Sequence, residues 1–155
     1  MPDQRGEAHV RRPVRLAALT VGAAFLVVGV LGFLPGVTTD YGELEFAGPD
    51  SGAQLFGLFT VSVLHNIVHL GFGVLGVAAA AAPALARAYL IWGGGLYLLL
   101  AVYGAGIDRS SQFNVVPVDA ADNWLHAGLG LGMIALGVLT TAAERARETA
   151  AQRRR

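Results

Sequence analysis

The sequence contains no cysteine, and only 14% of its residues are charged. Without cysteine the chain has no disulfide scaffold, no Cys-x-x-Cys metal site and no thiol nucleophile. Ordinary soluble domains carry roughly 25% charged residues, so the low charge argues against a typical soluble enzyme and against a disordered chain. The 11 basic residues, all arginine, balance 11 acidic residues. The zero net charge gives no overall attraction to nucleic acid, and we expect none as a partner.

Long apolar segments take the place of the missing charge. A membrane-spanning helix needs about 20 mostly apolar residues. Proline or Pro-Gly falls between the segments, where it interrupts a helix at least cost. We therefore predict an all-α, integral membrane four-helix bundle over residues 16–143, with tails at 1–15 and 144–155. The four predicted helices are 16–34, 55–82, 88–107 and 123–143.

The second apolar run is longer than one membrane span. Residues 53–82 would form a helix of about 45 Å, whereas the hydrocarbon core is about 30 Å thick. Counting back about 20 residues from Pro83 places the start of the span near Ser62. His65 then lies one turn inside the outer boundary.

The first apolar segment has two interpretations. Arg11, Arg12 and Arg15 precede it, as basic residues precede the core of a secretory signal peptide. Its apolar run exceeds the roughly 7–15 residues of such a core, and no Ala-x-Ala cleavage site follows. We therefore favour a retained helix.

Arginine is distributed unevenly between the two sides of the predicted bundle. With the N-terminus inside, ten of the eleven arginines are cytoplasmic and only Arg109 lies outside, as the positive-inside rule requires. Seven of the eleven acidic residues fall in the outer loops. The pattern predicts a multi-pass protein with both termini in the cytoplasm. The arginine-only, alanine- and glycine-rich composition favours a GC-rich bacterial genome and a plasma-membrane location.

The chain matches itself at two offsets, which predicts an internal repeat. An offset of 61 residues pairs Leu64-His65 with Leu125-His126, and an offset of 72 pairs Gly22 with Gly94. The first two helices would then repeat as the last two, in parallel about an axis along the membrane normal. The same alignment places Gly130 opposite His69, which predicts space for a ring or a ligand at Gly130.

Three histidines in the apolar segments form the candidate functional centre. His65 and His69 are four residues apart and share one helix face, and His126 is the repeat equivalent of His65. His65 lies one turn inside the outer boundary and His126 one turn into the fourth helix on the same side, which places the cluster near the outer leaflet. His9 lies in a polar tail and is set aside. The supporting polar residues are Ser62, Asn66 and Asn123.

Four interpretations of these histidines remain open. They are packing groups that hydrogen-bond across helices in a structural or binding component of the membrane. Alternatively, they ligate a metal ion or, as a pair from facing helices, a haem iron, in a redox membrane protein. In the fourth interpretation, they relay protons or bind a polar substrate in a small transporter. No catalytic machinery of a soluble enzyme is visible, so a non-enzymatic role is favoured.

Glycines and one acidic residue carry structural predictions. Glycine spacing in the helices predicts close helix packing, and such small-residue faces also permit a homo-oligomer in the bilayer. Asp122 is placed to cap the fourth helix. The glycines assigned to packing are Gly71, Gly76, Gly128, Gly132 and Gly137.

The run from Leu55 to His69, with its His65-Asn66-x-x-His69 element, resembles a family of small bacterial membrane proteins of unknown function, DUF4383. The likeness extends over roughly residues 15–141. The most specific element is the His65-Asn66-x-x-His69 run, with the residues that precede it from Leu55. The resemblance implies a four-helix integral membrane protein and supplies no activity, cofactor or catalytic residue. Its other elements are Arg87, Tyr89-Leu90, Gly93-Gly94, Asn114…Val116-Pro117 and Ala121-Asp122-Asn123-Trp124-Leu125-His126.

The orientation is testable with reporter fusions. A reporter that is active only in the cytoplasm should be silent when fused after Asp50, because Asp50 lies in the first outer loop, which is predicted to face away from the cytoplasm. The same reporter should be active at the C-terminus, which serves as the control. Activity at Asp50 would overturn the predicted orientation.

Overall fold

The computed structural model describes residues 12–154, and four α-helices account for most of that part of the chain. The predictions for His9, Arg5, Arg11 and Arg155 lie outside the described residues. The helices are α1 (Arg12–Leu31), α2 (Val63–Ala79), α3 (Pro83–Gly106) and α4 (Ala120–Gln152). The strands are β1 (Thr38–Thr39), β2 (Gln54–Leu55) and β3 (Phe59–Thr60), with a 3₁₀ turn at Tyr41–Glu43.

Three of the four helices are long and apolar enough to cross a membrane. They are α1 from Pro13, α3 and α4, whereas α2 is a shorter apolar helix of 17 residues, or roughly 25 Å. Large apolar side chains point outward, including Leu99, Val102 and Leu131, while polar ones such as Asn66 are buried. This inverted distribution is typical of a helical bundle in lipid, where polar groups find partners only inside the protein. The predicted all-α, four-helix membrane fold is confirmed.

The predicted second helix begins too early. Residues 55–60, assigned to the helix 55–82, instead belong to β2, β3 and the turn between them. Phe56 and Gly57 both adopt positive φ angles of 57° and 66°, which turn the chain between the two strands. Ser62 then stops the extended conformation, because its side chain accepts a hydrogen bond from the His65 backbone N–H at 3.1 Å. The helix therefore starts next to Ser62, where the bilayer thickness places the start of the span.

The fourth helix is capped by Asp119, one turn before the predicted cap. The Asp119 side chain accepts from the Asp122 N–H at 2.9 Å, and the Asp122 side chain accepts from the Asp119 N–H at 3.0 Å. These reciprocal bonds form a capping box, which satisfies two backbone donors at once. The helix also continues past residue 143 to Gln152. The charged residues from Glu144 onward end the apolar segment, but they are compatible with a helix, so the helix continues.

The two loops that the sequence predicts to lie outside, the outer loops, form a small cap at one end of the bundle. The three short strands pair in the order β1-β2-β3, all antiparallel, over an apolar cluster that includes Ala53, Leu55 and Val61. The Gly48 N–H donates to the Val115 carbonyl at 2.8 Å, which joins the first loop to the second. The arginine-bearing ends lie at the opposite end, where the Val14 N–H donates to Glu144.

The helices pack as two hairpins, α1 with α2 and α3 with α4. A β-carbon added at Gly22 would lie 2.7 Å from the backbone nitrogen of Val77, so these helices touch backbone to backbone. Gly130 approaches the Gly94 carbonyl and Leu98 just as closely. The space predicted at Gly130 is therefore absent, because the neighbouring helix fills it.

Only part of the glycine prediction agrees with the structure. Gly76 and Gly137 lie at helix contacts, whereas a β-carbon at Gly71, Gly128 or Gly132 would meet nothing within 4 Å. These three glycines lie on the outward faces, because the inward face follows the histidines and not the Gly-x-x-x-Gly spacing. The homo-oligomer inferred from such faces stays a prediction.

Alanine substitution should change stability differently at a glycine in a helix contact and at a glycine on an outward face. Gly22→Ala should lower the free energy of unfolding by about 1–3 kcal/mol, the usual cost of overpacking, because the new methyl group meets backbone atoms. Gly71→Ala is the matched control and should be neutral or raise stability by up to about 1 kcal/mol, since alanine favours a helix over glycine. Unfolding in detergent, followed by circular dichroism, measures both. Equal effects would contradict the proposed contact.

Candidate functional site

Ser62 caps the helix that carries His65 and His69 and so determines their positions along it. Because α2 begins immediately after the Ser62 cap, His65 lies in its first turn and His69 in its second. The two rings stack with centroids 4.6 Å apart and planes inclined by 22°. Both side chains are buried. The helical spacing of four residues thus gives the shared face that the sequence predicted.

Asp119 connects the start of α4 to the strand that precedes α2. One carboxylate oxygen of Asp119, Oδ2, accepts from the Thr60 N–H at 3.2 Å and from the Thr60 hydroxyl at 2.9 Å. The other, Oδ1, accepts from Asp122 in the capping box. One residue therefore fixes both helix starts, and His126 lies two turns into α4 from this point.

The structure brings His126 to the His65–His69 pair. Each of the three residues offers a ring nitrogen, and these nitrogens all lie within 4.8 Å of one another. The ring centroids of His65 and His126 are 6.2 Å apart. Tyr97 of α3 packs edge-on against His126 at 5.3 Å, and Phe25 of α1 stacks on His69 at 5.7 Å. All four helices thus contribute to the surroundings of the histidines.

The three imidazoles have unsatisfied polar atoms. The Nδ1 atoms of His65, His69 and His126 are buried and have no hydrogen-bond partner among the described residues. A buried polar atom without a partner costs about 1–3 kcal/mol, and native structures contain few of them. Three such atoms in one place therefore call for a ligand or a proton that the neighbouring side chains do not supply.

The histidines open onto an apolar cavity of about 270 Å³. Aliphatic and aromatic side chains form the rest of its wall. The second outer loop closes one side, where the Tyr103 hydroxyl donates to the Phe113 carbonyl at 2.5 Å. The wall residues besides the three histidines are Val68, Tyr97, Leu100, Tyr103, Phe113, Val115, Val116 and Val118.

The start of this second loop lies outside the membrane-spanning segments and is ordered by its own turn. Ser110 donates to Asp108 through its backbone N–H at 3.0 Å and its hydroxyl at 2.7 Å. These two bonds hold the pKa of the exposed Asp108 carboxyl below its usual value. The carboxylate belongs to the turn and does not line the cavity.

The predicted supporting residues divide between two roles. Ser62 caps α2 beside His65. Asn66 instead faces α1, where a β-carbon at Gly32 would overlap its amide, and Asn123 faces Gly104 of α3 in the same way. One residue along a helix is a rotation of about 100°, so Asn66 points away from the face that carries His65. Neither asparagine lines the cavity.

Several residues that shape this site are not distinguished by any pattern in the sequence. Tyr97 and Phe25 lie in apolar helices without a distinguishing pattern, and their role depends on helix packing. Asp119 was detectable, because an acidic residue three positions before another acidic residue at a helix start is a capping-box pattern. The valines of the second loop have no comparable pattern.

Comparison with known proteins gives a family and no activity. Residues 15–139 match the family described as Domain of unknown function (DUF4383). The chain belongs to this family. The matched region contains α2, α3 and the three histidines, so the candidate site lies wholly within the DUF4383 domain. No curated protein and no solved structure matches the chain.

Loss of the Asp119 bonds should destabilise the protein. Asp119→Ala removes a helix cap, which costs about 0.5–2 kcal/mol, and the bonds from Thr60, at about 0.5–1.5 kcal/mol each. Asp50→Ala, in an exposed part of the first outer loop, is the matched control and should change stability by less than about 0.5 kcal/mol. Unfolding in detergent compares them. An Asp119 variant as stable as the Asp50 variant would refute the connection.

Proposed function

We propose that this membrane protein binds one transition-metal ion through His65, His69 and His126. The observation that carries the proposal is the convergence of three buried ring nitrogens within 4.8 Å, with three Nδ1 atoms left without partners. A bound metal ion would engage one nitrogen of each ring.

The donor set favours zinc and similar divalent ions. Imidazole nitrogen suits Zn²⁺, Cu²⁺, Co²⁺ and Ni²⁺, whereas Mg²⁺ and Ca²⁺ require oxygen ligands. Three protein ligands leave a tetrahedral ion one open position, as in catalytic and exchange-competent zinc sites. With Zn–N distances of about 2.0–2.1 Å, the nitrogens of such a site stand roughly 3.3 Å apart. Modest rotation of the rings would bring the three histidines to that spacing.

Carbonyl groups near the histidines support the same proposal. The backbone carbonyls of Thr60 and Pro117 interact with the His65 ring. Metal-bound histidines usually donate their second ring N–H to a carbonyl or a carboxylate, which fixes the ring for metal binding. The outer cap therefore offers the acceptor that a zinc-binding His65 would need.

A metal ion fits this site better than haem. Two histidines that ligate haem iron approach it from opposite faces of the porphyrin, whereas His65 and His69 stack on the same helix face with centroids 4.6 Å apart. His65 and His126, on different helices, have ring centroids 6.2 Å apart beside a cavity of about 270 Å³. Drug-sized ligands occupy about 300–1,000 Å³, so the space favours an ion with a small ligand.

We also infer that the histidine site faces the outer side of a bacterial plasma membrane. The arginines support this orientation, because Arg15, Arg87 and Arg145 belong to the end of the bundle opposite the cap. Positive side chains near helix ends favour the cytoplasmic side. The metal would then reach the protein from outside the cell.

Equilibrium dialysis against Zn²⁺, with elemental mass spectrometry, tests the metal site in tag-free protein purified in detergent and stripped with a chelator. One zinc per chain is expected. His65→Ala and His126→Ala should each weaken binding by more than the roughly 10–100-fold seen for outer-shell changes. His9→Ala is the matched histidine control and should bind zinc as the natural protein does.

A stability measurement covers variants that fold poorly. Zinc at 100 times its dissociation constant should stabilise the natural protein and the His9 variant by about 2.7 kcal/mol. The His65 and His126 variants should gain much less. Zinc binding that is unchanged in both of these variants would overturn the proposal.

A further inference from the structure

We propose that the metal ion at this site takes a small monoanion as its fourth ligand, in preference to a neutral molecule. This inference rests on the proposed metal site and names what the open position binds. The ligand would be the size of azide, chloride or thiocyanate and would enter through the cavity beside the histidines.

Charge is the first argument. Three neutral imidazoles leave both positive charges of a divalent ion uncompensated. None of the described residues that line the cavity has a carboxylate, and its wall is otherwise aliphatic and aromatic. In such low-dielectric surroundings an unpaired charge is far more costly than in water. An anion bound directly to the metal lowers the charge that the protein has to bury.

The nearby carboxylates do not replace that anion. Asp119 lies close enough to His126 to interact with it electrostatically. However, its two oxygens accept hydrogen bonds from Thr60 and Asp122. Asp122 is buried and engaged in the same capping box. Both carboxylates serve the helix start, and moving either to the metal would break the cap.

The cavity determines the size of the anion. A volume of about 270 Å³ corresponds to about nine water molecules at ~30 Å³ each, so it admits an anion of a few non-hydrogen atoms and excludes a large one. Some wall residues, among them Val68 and Val115, are exposed, so the cavity lies near the surface of the bundle. Apolar walls favour weakly hydrated anions such as azide and thiocyanate over strongly hydrated ones, because the anion sheds its water on entry.

Cobalt provides a direct test, because Co²⁺ in a tetrahedral site absorbs visible light and its spectrum changes with the fourth ligand. Metal-free protein in detergent is loaded with Co²⁺, its metal content is measured, and the protein is titrated with azide. We expect a saturable spectral change with one azide per bound cobalt. Acetonitrile, a neutral linear molecule of similar size, should bind at least tenfold more weakly.

Two valine variants show whether the anion enters through the cavity. Val116→Phe narrows the cavity at a wall residue that is not one of the three histidines, and should retain cobalt while weakening azide binding at least tenfold. Val74→Phe makes the same change on an outward face of α2 and should leave both unchanged.

The outcomes separate the two proposals. Stoichiometric cobalt without an azide response, or with equal affinity for acetonitrile, overturns the anion ligand and leaves the metal site standing. Absence of cobalt and zinc binding in the folded protein overturns the metal site and the anion ligand with it. Equal weakening of azide binding in the two valine variants overturns the entry through the cavity.

Discussion

The interior of a bilayer contains no water to hydrogen-bond with polar groups, and this constraint orients every helix of the bundle. Imidazoles and amides turn inward, while leucine and valine face lipid. A smaller set of large apolar side chains, among them Phe25, Leu90 and Met133, forms the core of the bundle. Close helix contacts also use glycine, and α1 meets α2 backbone to backbone at Gly22. Among the interior polar atoms that no neighbour satisfies, three belong to the histidines and lie close together.

The outer cap connects the two hairpins near that place. Asp119 holds the start of α4 to Thr60, and Thr60 leads within two residues to the Ser62 cap of α2. The starts of both histidine-bearing helices are therefore fixed by bonds outside the hydrocarbon region. Since His65 and His126 lie within two turns of these caps, small changes in the cap would alter the distance between them. The proposed metal binding should accordingly be coupled to the stability of the cap.

The sequence was informative wherever one physical quantity decided the outcome. Bilayer thickness limits a span to about 20 residues, and this placed the start of α2 near Ser62 despite a much longer apolar run. It was misleading where two structures share the same composition. Residues 54–60 are apolar enough for a helix, yet Gly57 and the Ser62 cap favour a short hairpin. The glycine pattern was equally ambiguous, because spacing does not reveal which face turns inward, and Gly128 and Gly132 face outward.

The internal repeat stays a prediction, although both hairpins use glycine at their closest contacts. By itself the sequence determined the helical membrane fold, the arginine asymmetry and the shared face of His65 and His69, because these follow from hydrophobic length, charge and helical period. Only the tertiary structure decided that His126 meets that pair, that Asn66 and Asn123 turn away, and that a cavity opens beside the rings. Those features depend on the rotation and relative height of separate helices. Packing and the Asp119–Thr60 bonds fix both quantities, and no local sequence pattern encodes them.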